Sequence, residues 1–287
     1  MDNAALAITG LTKMYRDFTL DSVSFSVPYG SVVGFIGENG AGKSTTIKTI
    51  LGLVKKDTGT ISILGKQEQD IDFVTRNKVG VVFDGNNYPH KFTPKQLGGF
   101  LANVFISWNE EKYFSMLDRL SLPVNRKIKT FSKGMKMKLA ITAALSQNPE
   151  LLIMDEPTSG LDPVMRDDIL NMILDFVKDK KHSVLISSHI ISDLEKIADH
   201  IVFIHNGKVV FNKLKNELVH QYGIIKCDTM QFEKIDKEYI LCYRKQGYDL
   251  EVLIANRDTM QKKYPHLQIS QASIDDIVLT YIKGEQV

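Results

Sequence analysis

The sequence has 287 residues, of which 43% are hydrophobic and 24% are charged. These shares are typical of folded globular proteins, and they exclude the disordered and fibrous classes. Lysine and arginine total 36 against 34 acidic residues, and a net charge of +2 gives no broad positive field for binding nucleic acid. No run approaches the roughly 18 apolar residues that span a bilayer, so any role at a membrane requires a separate membrane protein.

The start of the chain and its cysteines favour a cytoplasmic setting. The first ten residues, MDNAALAITG, lack the basic region and the apolar stretch of a signal peptide. Cys227 and Cys242 show neither metal-site nor redox spacing, although a disulfide between them stays open.

The first half of the chain predicts strands followed by helices. The segments ALAITGLTKMY and FTLDSVSFSV are rich in β-branched and aromatic residues, which predicts an antiparallel hairpin. The apolar run SVVGFIG then leads through a glycine-rich turn into the helical pattern STTIKTILGLV. After the strand KVGVVF, the apolar spacing predicts a mostly helical insert from about residue 90 to residue 147.

The second half returns to alternating strands and helices. LLIM, SVLISS and HIVFIHNG are predicted strands, separated by a helix that begins near Pro163 and by a helix through ISDLEKIA. Such alternation predicts a central, largely parallel sheet. After about residue 215 the periodicity weakens, so we expect a main domain over residues 1–215 and a small C-terminal appendage over 216–287.

A glycine-rich segment between a strand and a helix predicts a phosphate site. It matches the pattern G-x-x-x-x-G-K-[ST], in which glycine backbone N–H groups turn toward an anion and the helix adds the positive end of its dipole. The lysine would reach the β- and γ-phosphates of ATP, and the following serine would place its hydroxyl on Mg²⁺. The candidate nucleotide-binding residues here are Gly37, Glu38, Asn39, Gly40, Ala41, Gly42, Lys43, Ser44 and Thr45.

Two acids end the predicted buried strand LLIM. Burying carboxylates is costly unless a cation or water uses them. We therefore predict that Asp155 orients the Mg²⁺ shell and that Glu156 polarises the attacking water, with Lys43 as a further catalytic group.

Three later motifs follow the phosphate loop in a fixed order. They are FSKGM at 131–135, DEPTSGLD at 155–162 and SSH at 187–189. The ordered set resembles the nucleotide-binding domain of ABC transporters over about residues 4 to 215. The resemblance implies an α/β fold of the P-loop NTPase class, with an antiparallel β-subdomain, the helical insert and the C-terminal appendage.

By this resemblance, further residues receive roles. Tyr15 matches the aromatic residue that stacks on adenine, although an ordinary strand tyrosine stays open. Ser132 and Gly134 match the signature motif, which in this family touches the γ-phosphate held by the opposite subunit. Asp162 resembles the loop aspartate that links the two sites, and His189 resembles the histidine that contacts the γ-phosphate.

The resemblance also implies partners and cargo. It implies a head-to-tail pair of ATPase subunits, a homodimer more than a heterodimer, on the cytoplasmic face of the membrane with a transmembrane permease. The signature form Phe-Ser-Lys-Gly-Met is similar to that of bacterial exporters of the ABC-2 type, which implies a peptide or amphipathic antimicrobial cargo. We expect the insert and the loop from Asp84 to Pro94 to form the docking groove, with Tyr88, Phe100, Phe105 and Trp108; the alternative is that these rings fill the core of the insert.

Departures from the family pattern occur at two places. Phe131, Lys133 and Met135 replace members of the usual Leu-Ser-Gly-Gly-Gln. Asp84 stands where the family commonly has glutamine, and we predict that it lies near Mg²⁺. The alternative for Asp84 is an ordinary turn residue beside Gly85.

Two other functions remain open at this point. One is a non-transport ABC ATPase that acts on ribosomes or DNA, although such proteins usually carry two cassettes or long coiled coils. The other is a regulatory subunit that binds ATP without hydrolysing it. The five residues predicted above to act in hydrolysis are all present, which favours an active ATPase. They are Lys43, Ser44, Asp155, Glu156 and His189.

Overall fold

The computed structural model describes residues 4–85, 88–247 and 249–286. Up to residue 214 its elements are β1 (Ala4–Met14), β2 (Thr19–Pro28), β3 (Val32–Ile36), α1 (Lys43–Ile50), β4 (Thr58–Ile63), β5 (Lys66–Gln67), α2 (Phe73–Asn77), β6 (Val79–Val82), α3 (Pro94–Ala102), α4 (Glu110–Arg119), α5 (Lys133–Ser146), β7 (Leu151–Asp155), α6 (Pro163–Val177), β8 (Ser183–Ser188), α7 (Ile191–Ile197), β9 (His200–His205) and β10 (Lys208–Leu214). The later elements are α8 (Lys215–Gln221), β11 (Gly223–Cys227), α9 (Thr229–Phe232), β12 (Ile240–Gln246), β13 (Asp249–Ile254), α10 (Arg257–Lys263), β14 (Ile269–Gln271), α11 (Ile274–Lys283) and β15 (Glu285–Gln286).

The N-terminal hairpin is part of a four-stranded sheet. The order of this sheet is β2-β1-β4-β5, and β1 pairs antiparallel with both β2 and β4. The predicted hairpin is therefore confirmed, while β4 and β5 were not predicted. The buried side of this sheet packs on β3, with Phe25 and Phe35 ring centroids 5.1 Å apart.

A six-stranded sheet forms the centre of the molecule. Its order is β10-β9-β3-β8-β7-β6, with parallel pairing from β9 through β6 and an antiparallel β10 at the edge. Every residue of β3, β7 and β8 is buried, as the apolar runs VVGFI, LLIM and VLI within them predict. The registers Ile36↔Ser188 and Asp155↔Ser187 bring the carboxyl ends of these strands to one edge, where ligands bind in open α/β sheets.

The helical insert is confirmed as α3, α4 and α5 around a separate apolar core. Tyr113 is fully buried there, and its hydroxyl donates to the Pro94 carbonyl oxygen at 2.9 Å. Of the four predicted docking aromatics, Tyr88, Phe105 and Trp108 pack against this core, whereas Phe100 is 54% exposed. Residues 86 and 87 of the predicted docking loop lie outside the described residues.

The C-terminal region contains more structure than the weak periodicity indicated. Its five strands form a separate antiparallel sheet in the order β14-β11-β13-β12-β15. The succession β11-α9-β12-β13-α10-β14 is the split βαββαβ arrangement. Cys227 and Cys242 are both free and buried in this sheet, and burial raises the pKa of these thiols to about 11 and about 12.

The C-terminal sheet packs on the central sheet through α11 and α7. Ile274 and Ile277 share one apolar cluster with Leu194 and Phe203, and the backbone N–H of Ile274 donates to Glu195 Oε1 at 3.2 Å. No helix within 4–85, 88–247 and 249–286 combines the length and the apolar character that a bilayer crossing requires.

We expect Ile277→Ala to lower the free energy of unfolding by about 2–5 kcal/mol, because it opens a cavity in this fully buried cluster. Urea unfolding followed by fluorescence of Trp108, the single tryptophan, measures whether the loss reaches the helical insert. Met230→Ala is the matched control, since Met230 is 72% exposed. An Ile277→Ala midpoint equal to that of the control would contradict packing of the C-terminal sheet on the rest.

Candidate functional site

The phosphate loop is held tightly between β3 and the end of β9. Gly40 and Gly42 have φ values of +86° and +115°, which residues with a side chain rarely adopt. A Cβ at Gly37 would lie 2.5 Å from the carbonyl oxygen of Ile204, so only glycine fits there. The structure thus places the nine predicted nucleotide-binding residues on one strand-to-helix loop and the first turn of α1.

Lys43 is the first residue of α1, and its ammonium turns back over the loop. Nζ donates to the carbonyl oxygens of Gly37 at 2.7 Å and Glu38 at 3.1 Å. It also lies 3.1 Å from Glu156 Oε1. Because Lys43 is only 4% exposed, this cation is fixed beside the loop rather than free in solvent.

Glu156 follows β7 in a left-handed backbone conformation, with φ at +52°. Such a conformation costs on the order of 1–3 kcal/mol for a residue with a side chain and is often found at functional sites. The Glu156 N–H donates to the carbonyl oxygen of Ser187 at 3.2 Å and to its Oγ at 3.0 Å. Ser187 Oγ in turn donates to Asp155 Oδ1 at 2.6 Å, so one serine fixes the Asp155 carboxylate and the backbone at Glu156.

His189 is the third member of a group that also contains Lys43 and Glu156. Its Nδ1 lies 2.6 Å from Glu156 Oε2, and its backbone N–H points to the same oxygen at 3.3 Å. A carboxylate only accepts hydrogen bonds, so Nδ1 carries the proton when Glu156 is ionised. The two oxygens of Glu156 therefore face two different groups, Lys43 and His189.

Tyr15 lies near Phe18, a residue that contacts the phosphate loop. Its ring is 46% exposed and lies 6.5 Å from the ring of Phe18, with Lys13 Nζ 5.6 Å above it. The Phe18 ring would be 3.0 Å from a Cβ at Gly42, which places it against the phosphate loop. An exposed ring in this position is accessible for stacking.

Ser132, Gly134 and Asp162 form a second group at the starts of two helices. Ser132 caps α5 by accepting from the Met135 N–H at 3.2 Å, and Asp162 caps α6 by accepting from the Met165 N–H at 3.0 Å. A Cβ at Gly134 would lie 3.2 Å from Met165, so the two helix starts touch.

Asp84 belongs to this second group in the structure. Its Oδ1 forms an ion pair with Lys133 Nζ at 2.9 Å, and both side chains are nearly half exposed. Assignment of Asp84 to Mg²⁺ stays a prediction. In the part of the chain that the structure describes, no group of three or more acidic, histidine or cysteine side chains could hold a metal alone. Mg²⁺ usually binds one or two carboxylates together with substrate phosphates, and a site built from the Asp155 carboxylate and the Ser44 hydroxyl would fit that mode.

Two functional positions were missed by sequence reasoning. Ser187 was part of a recognised motif but received no role, although its place at the end of β8, opposite Asp155, could have indicated one. Lys133 was noted only as a departure from the signature, and its contact with Asp84 joins residues 49 positions apart in the sequence.

Comparisons with known proteins agree with this geometry. The family model described as ABC transporter matches residues 20–159. The bacitracin transport ATP-binding protein BcrA of Bacillus licheniformis is 31% identical over 266 residues, which cover 90% of this chain and 84% of that protein. The lantibiotic transport ATP-binding protein SrtF of Streptococcus pyogenes is 36% identical over 215 residues, which cover 72% of this chain and 90% of that protein.

Solved structures give the same result. An ATP-binding subunit of an ABC transporter superposes with a TM-score of 0.67 at 32% identity, covering 75% of this chain and 91% of that chain. An ATP-binding cassette of an ABC transporter in its ADP conformation superposes with a TM-score of 0.64 at 27% identity, covering 74% and 91%.

Proposed function

This chain belongs to the ABC transporter family as an ATP-binding and ATP-hydrolysing subunit, and we propose that it powers export of a peptide or amphipathic antimicrobial through a separate transmembrane partner. The observation that carries the proposal is the cluster of Lys43, Glu156 and His189 at the carboxyl edge of the parallel sheet, beside the phosphate loop. The names of the bacitracin and lantibiotic relatives support the class of cargo.

In the cluster of Lys43, Glu156 and His189, one side chain would bind the phosphates and another would activate the attacking water. Lys43 would bind the β- and γ-phosphates, and because Glu156 Oε1 lies 3.1 Å from its Nζ, the phosphates and Glu156 compete for this cation. As the ammonium turns to the phosphates, Oε1 becomes able to accept a proton from the attacking water. His189 keeps its hydrogen bond to Oε2 and thereby orients the carboxylate.

Mg²⁺ would neutralise the phosphate charge in this site. The Ser44 hydroxyl and Asp155 would hold it, with Ser187 fixing the orientation of the Asp155 carboxylate. Asp84 is the third proposed contributor to the metal shell.

The second group of residues supports a dimer. Ser132 and Gly134 lie at the N-terminus of α5, where backbone N–H groups and the helix dipole favour an anion. We propose that they contact the γ-phosphate held by a second subunit in a head-to-tail homodimer, and that Asp162 joins the two sites.

We also propose where in the cell the chain acts and how it divides into domains. A permease partner would hold the subunit at the cytoplasmic face of the membrane, docked on the helical insert through the exposed Phe100. The proposed domains are residues 1–215 and 216–287, since the third sheet uses strands after residue 222 alone. The bacitracin relative aligns with 90% of this chain and must therefore extend into the second domain.

Affinity purification of the tagged chain from detergent-solubilised membranes of cells that express it tests the function. We expect copurification with a multi-span membrane protein and ATP hydrolysis that vanadate inhibits and the cargo stimulates. Copurification with ribosomes or DNA instead would overturn the transport role and favour the other class of ABC ATPase.

A further inference from the structure

The start of α5 carries an excess of positive charge. The sequence from Arg119 to Pro149 contains no aspartate or glutamate, and Lys133, Lys136 and Lys138 lie in the first two turns of the helix. The N-terminus of a helix has a partial positive charge, so cations there are unfavourable without a nearby anion. Lys138 finds Asp168 on α6, with Nζ and Oδ2 2.6 Å apart. Lys133 is the first residue of the helix and needs a carboxylate from outside it.

Asp84 provides that carboxylate from the loop after β6. The 2.9 Å contact between Asp84 Oδ1 and Lys133 Nζ joins the central sheet to the helical insert. Lys133 Nζ would also lie 3.3 Å from a Cβ at Gly160, whose φ is +67°. The ammonium is therefore placed where three segments meet: the loop after β6, the start of α5 and the turn that leads from Glu156 to Asp162.

We propose that Lys133 is a positioning residue that holds Asp84 and makes the loop after β6 move together with the start of α5. This inference rests on the proposed function, because its purpose is to align Asp84 and the Ser132 segment for ATP hydrolysis. Lys133 also balances the negative charge of Asp84 at this junction.

Loss of the ion pair between Asp84 and Lys133 should change the rate of ATP hydrolysis more than the stability of the fold. Ion pairs between exposed side chains contribute little to stability, so single variants should fold normally. Residues in direct contact, in contrast, show non-additive effects when both are changed. The pair can therefore be tested by a double-mutant cycle on kinetics.

The variants are Asp84→Asn, Lys133→Met and the combination, assayed for ATP hydrolysis over a range of Mg-ATP concentrations. We expect each single variant to lower kcat roughly fivefold or more with KM nearly unchanged, and the combination to be no worse than either. The charge-reversed pair Asp84→Lys with Lys133→Asp should recover part of the rate. Asp167→Asn and Lys196→Met form the control, because that ion pair is also exposed, has a 2.7 Å contact and lies outside the proposed site, so its loss should leave kcat unchanged.

Lysine acylation followed by peptide mass spectrometry measures the contact between Asp84 and Lys133 independently of ATP hydrolysis. We expect Lys133 to be acylated roughly twofold faster in Asp84→Asn than in the wild type, because the carboxylate restrains the ammonium. Lys196 in Asp167→Asn calibrates the size of the effect.

Multiplied losses in the combination would overturn the link between the two residues, and so would a lower kcat in Lys133→Met with an unchanged kcat in Asp84→Asn. Unchanged acylation in Asp84→Asn would do the same. A wild-type chain that hydrolyses no ATP would overturn the proposed function, and the acylation result would then still decide whether Lys133 holds Asp84.

Discussion

Replacing Glu156 by glutamine is expected to lower ATP turnover by about 10²- to 10⁴-fold, the usual contribution of a positioned general base. The amide preserves the shape of the side chain and can keep contact with His189, but it cannot take a proton from water. The N–H of residue 156 should remain bound to Ser187, so the loop should keep its conformation. ATP binding should therefore be retained.

Single-turnover hydrolysis and size-exclusion chromatography with Mg-ATP measure the two consequences. We expect very slow product formation and, from the proposed mechanism, a trapped dimer. Glu150→Gln is the matched control, since Glu150 precedes β7 and pairs at the surface with Lys78 at 2.7 Å. A normal rate in Glu156→Gln would remove Glu156 from its role as the base.

Replacing Lys43 by alanine is expected to weaken ATP binding itself by roughly 10- to 100-fold. Hydrogen bonds to charged groups contribute about 1.5–3 kcal/mol each, and about 1.4 kcal/mol corresponds to a factor of ten in affinity. The buried ammonium of Lys43 is already placed over the loop by the Gly37 and Glu38 carbonyl oxygens, so its removal deletes a pre-organised cation.

Isothermal titration with ATP measures this change. Lys48→Ala is the control on the same helix, because Lys48 is exposed and lies more than one turn further along α1. An ATP affinity equal to that of the control would contradict the phosphate-binding role. Together with Glu156→Gln, the variant separates loss of binding from loss of hydrolysis.

The phosphate loop could be predicted because its determinants are contiguous in the sequence. A buried strand, glycines with positive φ and a helix that begins at Lys43 all fall within residues 32–50. The acids at the end of β7 were predictable for the same reason, since a short apolar run ending in Asp155 and Glu156 is a local pattern. Parallel pairing of such strands then brings both sites to one edge.

Contacts between distant segments were decided by the tertiary structure. The hydrogen bond from Ser187 to Asp155 depends on the pairing of β7 with β8, and the ion pair of Asp84 with Lys133 depends on how the insert packs on the sheet. The sequence contains both partners of each contact but not the distance between them.

Which aromatic side chains are buried and how the C-terminal strands pair were also decided by the tertiary structure. The spacing of apolar residues determined that α3 and α4 are helices, but only packing decided that Trp108 lies against Tyr113 while Phe100 remains exposed. The C-terminal strands are two to seven residues long, and their local patterns are weak. Their order β14-β11-β13-β12-β15 arises from pairing between distant segments, and this pairing is stabilised by side chains that meet only in the folded chain.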